Sequence, residues 1–348
     1  MPARILFIGD PHFQVSNIPE VDMFIEKLEK LAIKEKPDLI CVGGDLLHTH
    51  ERLHTTALNK AYEFIEKLRQ ISLTYVLVGN HDMCNNSQFL TTNHWMNGMK
   101  EWDNIVIVDE VKCLEIKGEL FTFCPYVFPG RFEEALNTIG DKWKDSSIIF
   151  AHQEFAGCKM GAIVSVEGDK WSLTYPEVIS GHIHSRQMPQ SNIYYSGSAL
   201  QHAFGESEKN IIPIITTNGK SVRYDLNEVD LELPRKKIVY MDVATIDEYV
   251  PPVSGDKIKV TLSGSYDEFK VFKKTSKYKD LIDKGLKVVF KPKKNKKEDS
   301  VDNTILEDTN FRDVLYEIIS AEKDTSLYEI YELVVNNKKI DEGDIMFL

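Results

Sequence analysis

Short apolar runs alternate with helical patterns over the first 230 residues of the chain. Residues 5–8, 39–42 and 74–78 are apolar runs of the length of a buried strand. Residues 21–32 carry apolar side chains at intervals of three and four, the period of an amphipathic helix, and residues 56–68 have a similar helical pattern. Strands that alternate with helices in this way predict a layered α/β core.

Six further strand-like runs follow, with fewer helical patterns between them. Because fewer helices are available as crossover connections, we expect a second sheet that contains antiparallel strands. The runs cover residues 105–108, 121–123, 148–151, 178–180, 193–195 and 211–216.

The pattern changes near Pro234 and again near residue 298, and these two changes divide the chain into three predicted domains. Residues 1–233 form the main domain. Residues 238–297 contain strand-like runs and one helical pattern, at 267–277, which together predict a small α/β domain. Residues 298–348 begin with a polar linker and continue with two amphipathic patterns, which predict a C-terminal helical tail.

Composition and cysteine usage are typical of a globular protein of a reducing compartment. Of the 348 residues, 42% are hydrophobic and 28% are charged, which excludes disordered and fibrous classes. No stretch approaches the roughly 18 consecutive apolar residues of a membrane span, and the N-terminus does not have the pattern of a secretory signal. The five cysteines are scattered, without a Cys-x-x-Cys pair, which argues against disulfides and a thiolate zinc site. We expect a cytoplasmic location, in the host cell if the source is a virus or phage.

Charge is distributed unevenly along the chain. The net charge is −12, yet residues 257–297 contain fourteen lysines and only four acidic residues. This segment either contacts a polyanion or is a solvated lysine-rich surface, and the sequence leaves both interpretations open.

Polar clusters follow five of the apolar runs, where each predicted strand ends. Because α/β sheets place their sites at the carboxyl ends of neighbouring strands, we expect these side chains to meet in one crevice. His182 and His184 lie two residues apart, so an extended strand directs both to the same face. Asp, His and Asn without Cys suit Mn²⁺, Fe²⁺ or Zn²⁺ better than an all-oxygen Ca²⁺ site. The candidate metal ligands are Asp10, His12, Asp45, Asn80, His152, His182 and His184.

This ordered set resembles the motifs of the calcineurin-like metallophosphoesterases. The resemblance implies a two-sheet αββα sandwich and a cofactor of two divalent metal ions. Mn²⁺ is the leading candidate for these ions, and Fe²⁺, Zn²⁺ and Mg²⁺ are the alternatives. It also implies that Asp45 bridges the two ions. One ion would be held by Asp10, His12, Asp45 and His184, and the other by Asp45, Asn80, His152 and His182.

Three further residues are candidates for catalysis. By the same resemblance, His81 stabilises the transition state or protonates the leaving oxygen, and Asp82 orients its imidazole. The segment from Gly43 to His48 is similar to the Gly-Asp-Leu-Phe-His motif of SbcD-type DNA-repair nucleases, in which the motif histidine faces the DNA phosphate. His48 is therefore a candidate for substrate contact.

The nuclease resemblance extends beyond that motif. Residues 194–206 are similar to the Tyr-x-Gly-Ser…Phe-Gly-Glu segment of the same nucleases, and the length of the chain is closer to compact phage or viral versions. The implied function is a DNA exo- or endonuclease of a repair or recombination complex. The small α/β domain would then cap the DNA, and the helical tail would dock an SbcC-type coiled-coil ATPase.

Two other functions stay open at the level of the sequence. One is a phosphoesterase that acts on a small nucleotide or a phosphoprotein, and the other is a scaffold that has kept the fold without the chemistry. Residues 88–95 match no motif. The physiological metal, the cleavage polarity and the oligomeric state, including a homodimer, are not determined by the sequence.

Overall fold

The computed structural model describes residues 2–50, 52–207, 209–217 and 224–293, together with Ile319 and Tyr331. The predicted helical tail at 298–348 therefore lies outside the described residues, apart from these last two. The part up to residue 293 forms one compact unit.

The first of two large sheets has six strands. They are β1 (Arg4–Ile8), β2 (Leu39–Val42), β3 (Thr74–Leu77), β4 (Ile105–Val108), β13 (Ile212–Thr217) and β14 (Tyr224–Val229). Their order is β14-β13-β1-β2-β3-β4. Strands β1 to β4 are parallel, whereas β13 is antiparallel to both of its neighbours.

The second sheet also has six strands and is mixed. They are β5 (Lys112–Ile116), β6 (Glu119–Cys124), β7 (Ile148–His152), β10 (Glu177–Gly181), β11 (Gln187–Gln190) and β12 (Ile193–Tyr195), in the order β11-β12-β10-β7-β6-β5. The inner strands are parallel and the two edge strands are antiparallel to their neighbours. The predicted antiparallel elements therefore lie at the edges of this sheet.

The two sheets pack face to face through a layer of aromatic and aliphatic side chains. Phe7 of the first sheet stacks on Phe150 of the second at 5.8 Å between ring centroids, and Phe123 stacks on Phe150 at 5.3 Å. All three side chains are fully buried. This apolar layer holds the two sheets together.

Helices cover the outer face of each sheet. The helices α1 (Ile18–Glu35) and α2 (Thr55–Ile71) pack their apolar stripes on the first sheet, and α3 (Phe132–Leu136) and a 3₁₀ segment, Asn137–Asp145, cover the second. Helix α1 ends where Lys36 takes a left-handed conformation. The resulting four layers confirm the predicted αββα sandwich.

A small parallel sheet follows the sandwich in the chain. It contains β15 (Lys236–Asp242), β16 (Lys257–Gly264) and β17 (Lys287–Pro292). Two short helices, α4 (Tyr266–Phe272) and α5 (Ser276–Asp283), connect the last two strands. The single helix predicted at 267–277 is therefore wrong, because the Thr275 hydroxyl accepts a hydrogen bond from the Tyr278 amide and begins a new helix.

Two remaining strands form a short hairpin between β7 and β10. They are β8 (Lys159–Met160) and β9 (Ile163–Val164). Across the described ranges, no helix has the length and apolarity that a membrane span requires.

Candidate metal centre

The strand ends of the two sheets meet in one place and bring the predicted ligands together. Asp10 and His12 follow β1, Asp45 follows β2, and Asn80 follows β3. From the second sheet, the last residue of β7 is His152, and His182 and His184 follow β10 directly. All seven predicted ligands therefore lie at the carboxyl ends of parallel strands, where the sequence placed them.

The backbone is strained at several of these positions. The φ angle is +26° at Asp10, +44° at His12, +50° at Asp45 and +78° at His182. Non-glycine residues seldom adopt such angles, and they persist where the surrounding structure holds them. These angles turn the chain sharply at the strand ends, next to the side chains that form the site.

One group of donors gathers around His12. Its Nε2 lies 3.0 Å from Nε2 of His184 and 3.5 Å from Oδ2 of Asp45. At that distance one imidazole nitrogen donates its N–H to the other, and a cation ligated by both nitrogens would replace this hydrogen bond. The arrangement fits the first of the two predicted metal sites.

A second group gathers around Asn80. Its Oδ1 lies 3.1 Å from Nε2 of His152 and 3.0 Å from Nδ1 of His182. Nε2 of His152 is also 3.3 Å from Oδ2 of Asp45. The same carboxylate oxygen thus faces both groups, which fits the bridging role predicted for Asp45.

The carboxylate of Asp10 provides the strongest test of whether these residues fit a two-metal cofactor. It is completely buried, and neither of its oxygens has a hydrogen-bond partner; Nδ1 of His152 lies 3.5 Å from Oδ1. A buried carboxylate without partners is unstable unless a cation compensates it. A divalent metal ion at this position supplies that compensation, so the residues present fit the two-metal cofactor.

Two glycines leave the space that these side chains need. A Cβ on Gly79 would lie 2.2 Å from Oδ1 of Asp45, and a Cβ on Gly44, where φ is +101°, would lie 2.5 Å from Nδ1 of His152. Any larger residue at these positions would displace the carboxylate of Asp45 or the imidazole of His152.

Outer hydrogen bonds fix the orientation of the histidines. Nδ1–H of His152 donates to the carbonyl of Gly43 at 2.6 Å, which leaves Nε2 available to a metal. Nδ1 of His184 lies 3.5 Å from Oε1 of Glu206, and this carboxylate accepts hydrogen bonds from the amides of His202 and Ala203. Glu206 thus orients His184 from the side opposite the metal site.

The pKa values follow from burial and from the charges of the donor set. Burial raises the pKa of Asp10. Burial lowers the pKa of His152, but the carboxylates of Asp45 and Asp10 outweigh this effect and raise it to about 9. Burial and the charge of Asp45 raise the pKa of Asp82 to about 7. Binding of a metal ion at His152 therefore has to displace a proton.

His81 and His48, two of the predicted catalytic residues, lie beside the donor set. Nδ1–H of His81 donates to the carbonyl of His48 at 2.7 Å, and the His81 amide donates to Oδ1 of Asp45 at 2.8 Å. A ring nitrogen of His81 also lies within 4.8 Å of donor atoms of His12 and Asp45. The ring of His48 contacts that of His12 at a centroid distance of 5.4 Å.

The predicted contact between Asp82 and the imidazole of His81 is not found. Oδ1 of Asp82 accepts hydrogen bonds from the amide of Leu46 at 3.1 Å and from the indole of Trp95 at 3.0 Å, and Oδ2 accepts from the amide of Gly79 at 3.1 Å. Asp82 therefore ties the loops after β2 and β3 together, and the carbonyl of His48 orients His81.

Three residues at the centre were not predicted as site residues. The ring of His50 stacks on that of His81 at a centroid distance of 4.3 Å. His202 forms a further group of donors with His12 and His184, and its Nε2–H donates to the carbonyl of Asp10 at 3.1 Å. His202 and Glu206 lie in the segment 194–206 that resembles the nucleases, whereas His50 lies two residues beyond the other such segment, and this resemblance was the only available signal.

The layered fold and the donor set together define a metal-dependent phosphoesterase. Residues 3–186 match the family of calcineurin-like phosphoesterases, and the chain belongs to this family. Proteins of this family typically bind two divalent metal ions.

Two viral proteins, both named for an inferred phosphoesterase activity, are similar to the chain over most of its length. The protein 244L of Invertebrate iridescent virus 6 is 52% identical over 277 residues, which cover 78% of this chain and 98% of that protein. The protein 078R of Invertebrate iridescent virus 3 is 46% identical over 330 residues, which cover 93% of this chain and 94% of that protein. A solved structure of GAP50, the anchor in the inner membrane complex of Plasmodium, aligns at 13% identity with a TM-score of 0.38, over 66% of this chain and 89% of that one.

Replacing Glu206 by glutamine is expected to weaken metal binding by roughly 10–100-fold, the usual cost of removing an outer partner of a ligating histidine. The substitution removes the charge that faces Nδ1 of His184 but keeps an oxygen for the two amides. Titration calorimetry with Mn²⁺ on the metal-stripped protein measures the effect. Glu133→Gln is the matched control, since that exposed carboxylate lies on helix α3 and accepts a hydrogen bond from the hydroxyl of Tyr175. Equal affinities for both variants would contradict the assigned role.

Proposed function

We propose that the protein is a two-metal DNA nuclease that hydrolyses phosphodiester bonds. The observation that carries the proposal is that two open cavities lie beside the donor set, one next to it through His48 and the other lined by two of its histidines. One cavity, of about 960 Å³, is lined by His48, His50 and Arg52, and the other, of about 550 Å³, by His182 and His184. A phosphodiester within a polymer has a chain on each side, whereas a phosphomonoester needs space on one side only.

The residues beside the first cavity suit a nucleic acid backbone. His48 lines this cavity and contacts the ring of His12, so a phosphate that reaches the donor set passes close to it. Arg52 lines the same cavity, and its guanidinium has no carboxylate partner among the residues that the structure describes. Cationic and polar donors of this kind position phosphates without reading the base sequence.

The lysine-rich segment supplies further positive charge. Eleven of its fourteen lysines are described, and of these only Lys257, Lys284 and Lys293 form ion pairs with carboxylates. Nζ of Lys259 lies over the ring of Phe204, 5.2 Å from its centroid, in the segment that follows the last metal ligands. The segment can therefore bring cations to DNA near the centre, despite the acidic total.

The chemistry divides between the cofactor and the protein. Two divalent ions would provide a hydroxide at neutral pH and neutralise charge on the phosphate. Asp10, His12, Asp45 and His184 would hold one ion, and Asp45, Asn80, His152 and His182 the other. Nδ1–H of His81 donates to the carbonyl of His48, so the imidazolium form would carry its second proton on Nε2 and give it to the leaving oxygen, which returns His81 to the neutral form.

The SbcD-like motifs extend the proposal to a repair or recombination complex. The docking of an SbcC-type ATPase on residues 298–348 and the formation of a homodimer stay predictions from the sequence. Mn²⁺ is the proposed physiological metal, because the mixed oxygen and imidazole donors suit it.

The purified protein with Mn²⁺ is expected to degrade end-labelled single-stranded, duplex or hairpin DNA. Denaturing gels measure the products, and Asp45→Ala is the inactive control. Parallel assays use methyl p-nitrophenyl phosphate, a diester without bases, and a serine phosphopeptide. Turnover of either small substrate without any cleavage of DNA would favour the alternative phosphoesterase function and overturn the nuclease proposal.

A further inference from the structure

The hairpin of β8 and β9 exposes an unusual number of apolar side chains. We refer to residues 159–166 as the site hairpin. Met160 is 38% exposed, Ile163 66%, Val164 51% and Val166 78%. Each strand has only two residues, so the hairpin has no core of its own to explain these side chains.

Polar contacts anchor the site hairpin to the metal centre at its first strand. The amide of Lys159 donates to Oε1 of Gln187 at 2.7 Å, and Nε2 of Gln187 donates back to the carbonyl of Lys159 at 2.9 Å. Gln187 lies three residues after His184. The first strand is therefore held beside the chain segment that carries a metal ligand.

The second strand is anchored to another ligand. The hydroxyl of Ser165 donates to Oε1 of Glu154, and Oε2 of Glu154 lies 3.9 Å from Nε2 of His182. The amide of Ser165 also donates to the carbonyl of Cys158 at 2.8 Å. Both strands of the hairpin are thus fixed relative to the donor set.

The site hairpin and the metal ligands line the same cavity. Lys159, Met160 and Gly161 form one wall of the cavity of about 550 Å³, and His182 and His184 form another. When a phosphate is bound at the centre and one of its substituents extends into this cavity, that substituent contacts the hairpin.

We infer that the site hairpin contacts unpaired nucleobases next to the scissile phosphodiester. The inference rests on the proposed nuclease function and names the form of its substrate. Isoleucine, valine and methionine offer no hydrogen bond to a phosphate, but they pack against base faces, as apolar side chains do when they enter a base stack. In a duplex the base faces are covered by the neighbouring stacked bases, whereas a single strand or an unpaired end exposes them.

The test compares two double variants on substrates with and without bases. Met160→Ser/Ile163→Ser removes the apolar side chain that the site hairpin contributes to the cavity, together with that of its cross-strand partner. Val250→Ser/Val253→Ser is the matched control, because these valines are 79% and 107% exposed in a different loop. The substrates are a single-stranded oligodeoxynucleotide, an abasic strand of the same length, and methyl p-nitrophenyl phosphate.

The hairpin variant is expected to lose about 10-fold in kcat/KM on the single-stranded oligonucleotide, a loss at the lower end of what removal of a stacking aromatic side chain costs. On the abasic strand it should match the wild-type protein, because the contact is already missing there. Methyl p-nitrophenyl phosphate should be hydrolysed equally by all proteins, which also shows that the variants fold. The control variant should behave as the wild type throughout.

Four results would overturn the inference. If the wild type cleaves DNA and the hairpin variant has the same kcat/KM on the oligonucleotide, the hairpin does not contact the bases, but the nuclease function is unaffected. If the hairpin variant loses the same factor in kcat/KM on the abasic strand, the hairpin contacts the DNA backbone. If its molar mass in light scattering differs from that of the wild type, the hairpin forms a contact between two copies of the chain. If the wild type hydrolyses the small diester but no DNA, the proposed function fails as well.

Discussion

Asp45→Ala is expected to remove both metal ions and to abolish phosphodiester hydrolysis. Oδ2 of Asp45 lies 3.5 Å from Nε2 of His12 and 3.3 Å from Nε2 of His152, so this oxygen serves both groups of donors. The loss in turnover should exceed the roughly 10²–10³-fold that removal of one electrostatic stabiliser costs, since two cations leave together. Elemental analysis after dialysis against Mn²⁺, together with turnover of methyl p-nitrophenyl phosphate, measures both effects.

Two further variants separate the charge of Asp45 from general damage to the fold. Asp45→Asn keeps the shape and one oxygen but lowers the negative charge, so we expect partial metal content with strongly reduced turnover. Asp38→Ala is the matched control, because Asp38 precedes the opposite end of β2 and pairs with Lys117 at the surface. Full metal content in Asp45→Ala would contradict the bridging assignment.

The sequence predicts the donor set because each ligand is a local feature. An apolar run followed at once by Asp, Asn or His fixes both the strand and the position of the polar side chain at its end. His152 and His182 illustrate this, since the parallel pairing of β7 and β10 brings their strand ends to the same edge. For such residues, the topology of a parallel sheet determines which side chains meet.

Glu206 and His202 could not be predicted in the same way. Neither follows a strand directly, and their contacts are to residues far away in the chain. His202 approaches Asp10 across 192 positions, and Glu206 approaches His184 across a loop. Only the packing of that loop against the strand ends creates these contacts, and a strand-end pattern carries no information about it.

Asp82 shows why adjacency in sequence was misleading. It follows His81 directly, yet a tight turn directs its carboxylate to backbone amides and to the indole of Trp95. The structure also explains residues 88–95, which matched no motif. His94 at the end of this segment is buried and faces Oδ2 of Asp109 at 3.2 Å, so the segment packs as part of the scaffold.

His81→Ala is expected to lower turnover of DNA by about 10²–10⁴-fold, the usual contribution of a general acid, while both metal ions remain bound. The metals should remain because Nδ1 of His81 is already used by the carbonyl of His48, and its ring stacks on His50. Elemental analysis measures the metal content of the variant. Loss of an ion would instead show that His81 is a metal ligand. This is geometrically possible, because a ring nitrogen of His81 lies within 4.8 Å of donor atoms of His12 and Asp45.

The choice of leaving group separates proton donation from other roles of His81. Cleavage of DNA expels an alkoxide, which needs a proton, whereas methyl p-nitrophenyl phosphate expels a nitrophenolate, which is stable without one. The His81→Ala variant should therefore lose far less activity on the nitrophenyl diester than on DNA. His50→Ala, which removes the stacked ring but keeps the acid, should lose less on DNA and show no such contrast. If His81→Ala lost the same factor on both substrates, His81 would act on the phosphate or on the nucleophile, and its assignment as the general acid would be wrong.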